Sequence, residues 1–272
     1  RIGEVLAAYR PAAVMHFAAS AYVGESMADP GKYYRNNVAN TVNLLDAMVA
    51  HGIDRLIVSS SCATFGIPSA VPVTDDAPQS PINVYGESKL CMERMVRWYA
   101  ELKGLQYVLL RYFNAAGADL DGDTGESHDP EPHIIPIILQ AAAGRRAGVT
   151  LFGTDYPTAD GTCVRDYVHV ADLAQAHLLA LATLLARGGC HRLNLGSGAG
   201  VSILQLIRMV EEVTGRTVPL CCQSRRAGDP AVLIAAAAKA GKELGWAPAH
   251  SDLRTIVETA WAWETHRAAH GL

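Results

Sequence analysis

The 272 residues carry 23 Lys and Arg against 27 Asp and Glu, a net charge of −4, and half of them are apolar. That length supports one large domain or a domain with a smaller lobe, and the composition is that of a globular chain rather than a disordered or fibrous one. The slightly acidic balance gives no basic field for a nucleic-acid backbone or an anionic membrane surface, so neither is expected as a partner and a small-molecule ligand is.

In chain order, "IGEVLAAYR" (2–10) reads as a helix and "AAVMHFA" (12–18) as a strand after Pro11. "YYRNNVANTVNLLDAMVAHG" (33–52) has helical periodicity closed by Gly52, and "DRLIVSSS" (54–61) is the next strand. A helix from about residue 84 to Gly104 precedes the strand "QYVLLRYF" (106–113). Gly, Asp and Pro crowd 117–132, a loop of the length that usually carries function. Helices are predicted near 133–144, 170–186, 202–214 and 251–268, with strands near 149–152, 191–195 and 217–221. Alternating short strands and longer helices predict βα units on a parallel sheet. The carboxyl ends of such strands converge on a crevice, which places residues 16–19, 59–62 and 112–114 together.

The six cysteines form no CxxC or zinc-like spacing and are expected to be reduced thiols of a cytoplasmic protein. The run "LLALATLLA" (178–186) is too short to span a bilayer. His169 and His177 read as packing residues, and no metal site is expected. The chain opens on Arg1 within a helical pattern, a start expected of a chain with further residues upstream.

"NVYGESKL" (83–90) sets Tyr85 and Lys89 at i and i+4, on one helix face. A tyrosine titrates near pH 10; making it a base at pH 7 requires roughly 4 kcal/mol of preferential phenolate stabilisation, which a nearby ammonium and a cationic ligand supply. Ser61, at a strand end, offers a hydroxyl to bridge Tyr85 and a substrate oxygen. A lone YxxxK is more often a packed tyrosine and a solvated lysine, so the surrounding motifs decide.

Ser61, Tyr85 and Lys89 in this order on a βα sheet resemble the catalytic set of short-chain dehydrogenase/reductase enzymes. "SSSCATFG" (59–66), "VYGESKL" (84–90), "LLRYFNAAGA" (109–118), "LFGTDYPTADGTCVRDYVHV" (151–170) and "RRAGDP" (225–230) resemble the UDP-glucose 4-epimerase family over essentially the whole chain. The resemblance implies a Rossmann-like, doubly wound α/β sheet lacking its first βα units, with a smaller C-terminal α/β substrate-binding lobe. Residues 1–115, rejoined by about 168–196, would form the NAD-binding part, and 116–167 with 197–272 the lobe.

The resemblance further implies bound NAD and a UDP-sugar substrate, interconverted at C4 through a 4-keto sugar. Cofactor contacts carry over to Phe17, Ala18, Ala19, Asn36, Ser61, Tyr85, Lys89 and Phe113. Substrate contacts carry over to Asn114, His133, Ile134, Thr150, Leu151, Phe152, Arg165, Arg226 and Asp229, with the arginines suited to phosphate. A homodimer built on the helices near 33–51 and 85–103 is implied as well.

Departures from the family pattern are specific. The glycine-rich opening turn has no counterpart here, and "GSGAG" (196–200) matches a different loop, so about two βα units are expected upstream of Arg1. Ala21 stands where some members have lysine, Phe65 where tyrosine is usual, and Leu233 where side-chain bulk limits N-acetylated sugars. A 4-epimerase of a UDP-N-acetylhexosamine or UDP-pentose, and a non-catalytic nucleotide-sugar module, stay open. A 4,6-dehydratase is disfavoured, since that branch needs an acidic pair beside the serine position and "SSCATFG" has none.

Overall fold

The computed structural model describes residues 1–226 and 228–271. The first half runs α1 (Ile2–Tyr9), β1 (Val14–His16), α2 (Val23–Ala28), α3 (Pro30–Tyr33), a π-helical turn (Tyr34–Ala39), α4 (Asn40–Ala50), β2 (Arg55–Ser61), a 3-10 turn (Cys62–Phe65), α5 (Val84–Lys103) and β3 (Gln106–Tyr112). The second runs β4 (Asn114–Ala116), α6 (Ile134–Ala142), β5 (Val149–Phe152), β6 (Val164–His169), α7 (Val170–Arg187), β7 (Cys190–Leu195), β8 (Gly200–Ser202), α8 (Ile203–Thr214), β9 (Leu220–Gln223), β10 (Val232–Leu233), α9 (Ala238–Leu244) and α10 (Leu253–His270).

β1, β2, β3 and β7 form a parallel sheet in that order, with Ser61 opposite Tyr112 and Tyr112 opposite Leu195. "LIVSS" and "YVLLR" are buried on both faces, as central strands of a parallel sheet must be, which is why "LIV" and "YVLL" are unbroken by polar alternation. α4 and α5 cover one face through Leu45, Met48, Met92 and Val96. α7 covers the other through Leu173, Ala176, Ala180 and Leu184. Although α7 is long and apolar enough, by length and composition, to cross a membrane, that face is spent on the sheet.

The smaller layer joins β10, β6 and β4 in parallel, with β8 antiparallel to β6, beside a parallel β5–β9 pair. Its core comes from α6, α8 and α10, including Ile138, Leu206, Val210 and Ile256. A capping box between Ser202 and Gln205 starts α8.

Two expectations need correction. The predicted 33–52 helix is interrupted by the π turn at Tyr34–Ala39. There the Asn37 side chain accepts from Ser20 N at 2.8 Å and donates to Ser20 O and Ser88 Oγ, each at 3.0 Å. Thr41 Oγ1 donates to the Asn37 carbonyl at 2.5 Å, so side chains hold the wide turn that the sequence period does not reveal. Second, α9 and Trp246 pack with Ile57, Val108 and Leu193, so this part of 197–272 lies against the larger sheet rather than in the smaller lobe.

Candidate active site

β2 ends at Ser61, whose side chain caps the following 3-10 turn by accepting from Ala63 N at 3.1 Å. α5 begins opposite it: Asn83 caps the helix by accepting from Gly86 N at 2.8 Å, leaving Tyr85 in the first turn. A Cβ on Gly86 would lie 2.4 Å from the Ala63 carbonyl oxygen, so glycine is what lets the two turns meet. Tyr85 N donates to Ser26 Oγ at 3.1 Å, and the Tyr33 ring packs edge-on against the Tyr85 ring at 6.5 Å.

One turn further, Lys89 is 4% exposed, and its Nζ donates to the Ser59 carbonyl at 2.8 Å. Burial pulls its ammonium down to about 8, with the negative charge of Glu93 opposing. Burial pushes the Tyr85 phenol up, with the Ser61 hydroxyl opposing. The phenolate expected at Tyr85 therefore requires a cationic ligand besides Lys89.

Behind the lysine, Glu93 accepts two hydrogen bonds from the buried Arg111 guanidinium, at 2.9 and 2.7 Å, and one from Ser60 Oγ at 2.5 Å. Arg111 also donates to the Asp75 carbonyl at 2.8 Å. Fork-to-fork pairing with a further bond from the third guanidinium nitrogen is the kind of arrangement under which a buried ion pair is tolerated.

At the end of β1, Phe17 is 57% exposed with its ring 4.7 Å from that of His177. His177 is satisfied as expected of a packing residue: its Nδ1 meets the Leu173 carbonyl at 2.8 Å and its Nε2 meets Ser59 Oγ at 3.3 Å. Ala18 and Ala19 continue the same edge, and Asn36, exposed on the π turn, donates to Ser20 Oγ at 3.1 Å. Phe113 is buried just past β3, beside Cys62, Phe65 and Leu233.

The substrate-side expectations gather in a second place. A cavity of about 170 Å³ lies between β5, β6 and the start of α6. Thr150, Leu151 and Phe152 line it from β5, Ile134 from α6 and Asn114 from β4. Asn114 Nδ2 donates to the Asp166 carbonyl at 2.8 Å, fixing β4 on β6. Arg165 reaches in from β6, held by the Val164 and Pro230 carbonyls at 2.8 and 2.9 Å and by Asp229 at 3.3 Å. Arg226 completes the wall with its guanidinium 3.9 Å from the Phe152 ring centroid. His133 stands outside this lining, with its ring turned to Glu126 and Glu131. Burial lowers the His133 imidazole, but hydrogen bonds to the two carboxylates override it and lift the group to about 9.

Residues 1–196 match the family described as NAD dependent epimerase/dehydratase. The UDP-glucose 4-epimerase of Rhizobium meliloti (strain 1021) is 49% identical over 271 residues, covering 100% of this chain and 82% of the relative. The chain belongs to this family. A solved UDP-glucose 4-epimerase from Brucella ovis in complex with NAD is 52% identical, with a TM-score of 0.94 over 96% of this chain and 80% of that one. Another, from Stenotrophomonas maltophila with bound NAD and formylated UDP-arabinopyranose, is 39% identical, with a TM-score of 0.96 over 99% and 81%.

In this epimerase/dehydratase chain the donor set at the first strand ends fits the nicotinamide end of NAD. Among the described residues the buried Lys89 ammonium meets one acceptor with its three donors, leaving capacity for ribose hydroxyls. The exposed Phe17 packs on His177, which meets the side chain of Ser59, the residue whose carbonyl holds Lys89.

Sequence reasoning missed several residues. Tyr167 lines the cavity two positions after Arg165, on the same face of β6, and its buried hydroxyl has no hydrogen-bond partner among the described residues. Strand alternation applied to "VRDYVH" would have found it. Asp166, pointing the other way, accepts from Ser197 N, Gly198 N and Ala235 N at 2.8 to 3.1 Å and anchors the "GSGAG" loop. Ligand-type side chains of Glu126, His128, Glu131 and His133 also converge in the long loop, a grouping not singled out from the sequence.

Proposed function

We propose that the protein interconverts UDP-glucose and UDP-galactose at C4. The observation that carries this reading is the Ser61, Tyr85 and Lys89 set at the strand ends, with Ser61 and Lys89 buried and Tyr85 half-buried, together with a cavity walled by two arginines and, among the described residues, an unpaired Tyr167 hydroxyl. The UDP-glucose 4-epimerases at about half identity support the substrate. NAD, when bound, supplies an acceptor that also returns the hydride, so the exchange is redox-neutral.

In this reading the Tyr85 phenolate takes the proton of the sugar 4-hydroxyl, becoming the phenol, and later returns it, while Ser61 bridges the two oxygens. The Lys89 ammonium holds the ribose and adds positive charge behind the phenol. Phe17, Ala18, Ala19, Asn36 and Phe113 wall the cofactor. Arg165 and Arg226 hold the diphosphate, while Asp229, Asn114, Ile134 and Thr150 to Phe152 hold the nucleoside. UDP is thus gripped and the hexose left loose, as a sugar that must present both faces requires. Residues 1–115 with 168–196 are assigned to the cofactor, and 116–167 with 197–272, apart from α9, to the UDP-sugar.

A homodimer through α4 and α5 fits the exposed Val49, Trp98 and Leu102 on those helices. Six free cysteines fit a cytoplasmic setting. The test is incubation of the NAD-loaded protein with UDP-galactose, following UDP-glucose by chromatography. Conversion without added NAD supports the reading; intact UDP-galactose with NAD in place overturns it.

A further inference from the structure

The loop between β4 and α6 carries four ligand-type side chains that the activity above does not use. One ligand atom from each of Glu126, His128, Glu131 and His133 lies within 4.8 Å of the others. His133 Nδ1 contacts Glu126 Oε1 and lies 2.9 Å from Glu131 Oε1, and His128 Nδ1 lies 3.1 Å from Glu126 Oε1 and 3.7 Å from Glu131 Oε2. For an ion with bonds of about 2.0 to 2.2 Å, tetrahedral ligands sit about 3.4 Å apart, so small adjustments seat all four.

We propose that these four residues form a binding site for a divalent transition-metal ion of the zinc type. Two imidazoles and two carboxylates suit such an ion, whose charge the two carboxylates balance. Among the described residues the His128 Nδ1 atom, on a side chain 34% exposed, is shielded from solvent and has no hydrogen-bond partner, although a carboxylate oxygen is 3.1 Å away.

The loop is built to hold this geometry. Gly125 lies under Trp263, where a Cβ would come within 2.3 Å of the indole, and Trp263 Nε1 donates to the Glu126 carbonyl at 2.8 Å. Arg267 donates to Ser127 Oγ at 3.1 Å. α10 thus presets the backbone on either side of Glu126. His133 immediately precedes α6, whose first residue, Ile134, lines the nucleotide cavity. Tyr22 packs edge-on against His128 and His133 at 5.5 and 6.4 Å, and its carbonyl accepts from Tyr33, the neighbour of Tyr85. A bound ion would tie 126–133 into one closed turn and fix both the start of α6 and the seat of Tyr22.

The test is metal uptake by the chelator-treated, NAD-loaded protein, with Zn²⁺ competed against a chromophoric chelator and Co²⁺ as a spectroscopic probe. We expect one equivalent of Zn²⁺ and a Co²⁺ spectrum with visible d–d bands but no thiolate charge-transfer band. Affinity should fall at least about 100-fold in His128→Ala and in Glu126→Gln. Replacing His266 and His270, a stacked pair on α10, should leave uptake unchanged. The proposal is overturned if no Zn²⁺ binds, if both loop variants keep full affinity, or if uptake follows the α10 histidines or shows the thiolate band.

Discussion

Lys89 donates to the main-chain carbonyl of Ser59 at 2.8 Å, so the lysine of the Tyr85/Lys89 pair is anchored to the strand that delivers Ser61. Strand and helix are thereby locked in one register, and the ammonium is held out of water at an energetic cost.

That cost leads to the first prediction. A lysine pulled from its ordinary range to about 8 is destabilising in the folded chain below that pH, by about 3 kcal/mol at neutral pH from about 1.4 kcal/mol per unit. Lys89→Met should therefore raise the urea midpoint at pH 7 while removing turnover. The advantage should shrink between pH 8 and 10.5, as the wild-type lysine first loses its proton in the folded state and then in the unfolded one. Equal or lower stability of the variant at pH 7 would contradict this.

Arg111→Met should destabilise by about 3–5 kcal/mol, because it strands Glu93 in the core without its partner. Chemical denaturation reads the loss. The double variant Arg111→Met with Glu93→Leu should recover a large part of it.

Gly86→Ala should cost about 1–3 kcal/mol and lower turnover more than UDP binding. Its new Cβ would push α5 away from the Ala63 carbonyl and so move Tyr85 from Ser61. Denaturation and steady-state kinetics on the same preparation separate the two effects.

Arg165→Ala should weaken UDP at least about 10-fold by calorimetry, since it removes a charge-assisted contact held in place by Asp229. Arg165→Lys should recover only part of the affinity, because an ammonium lacks the planar fork.

Much of this was legible in the sequence, for identifiable reasons. β2 and β3 carry the unbroken apolar runs "LIV" and "YVLL", and α5 has an Asn83 cap and a Gly104 stop, so local signals and tertiary structure agree. Arg165 and Arg226 sit in motifs rich in Gly, Asp and Pro, and both reach the cavity. The π turn was hidden because it depends on Asn37 reaching Ser20 and Ser88, 17 and 51 residues away. The Glu126 to His133 cluster was hidden because a loop has no period to align its side chains; α10, more than 100 residues on, does that instead. β4, β8 and β10 are two or three residues long, too short for alternation to register.

The central claim is that Tyr85 moves the proton while other residues hold UDP. The most direct measurement compares wild type and Tyr85→Phe, both loaded with NAD, for conversion of UDP-galactose and for UDP affinity. We predict that the variant loses at least about 100-fold in turnover, the scale of a general base, with UDP affinity unchanged. Normal turnover in the variant would contradict the account.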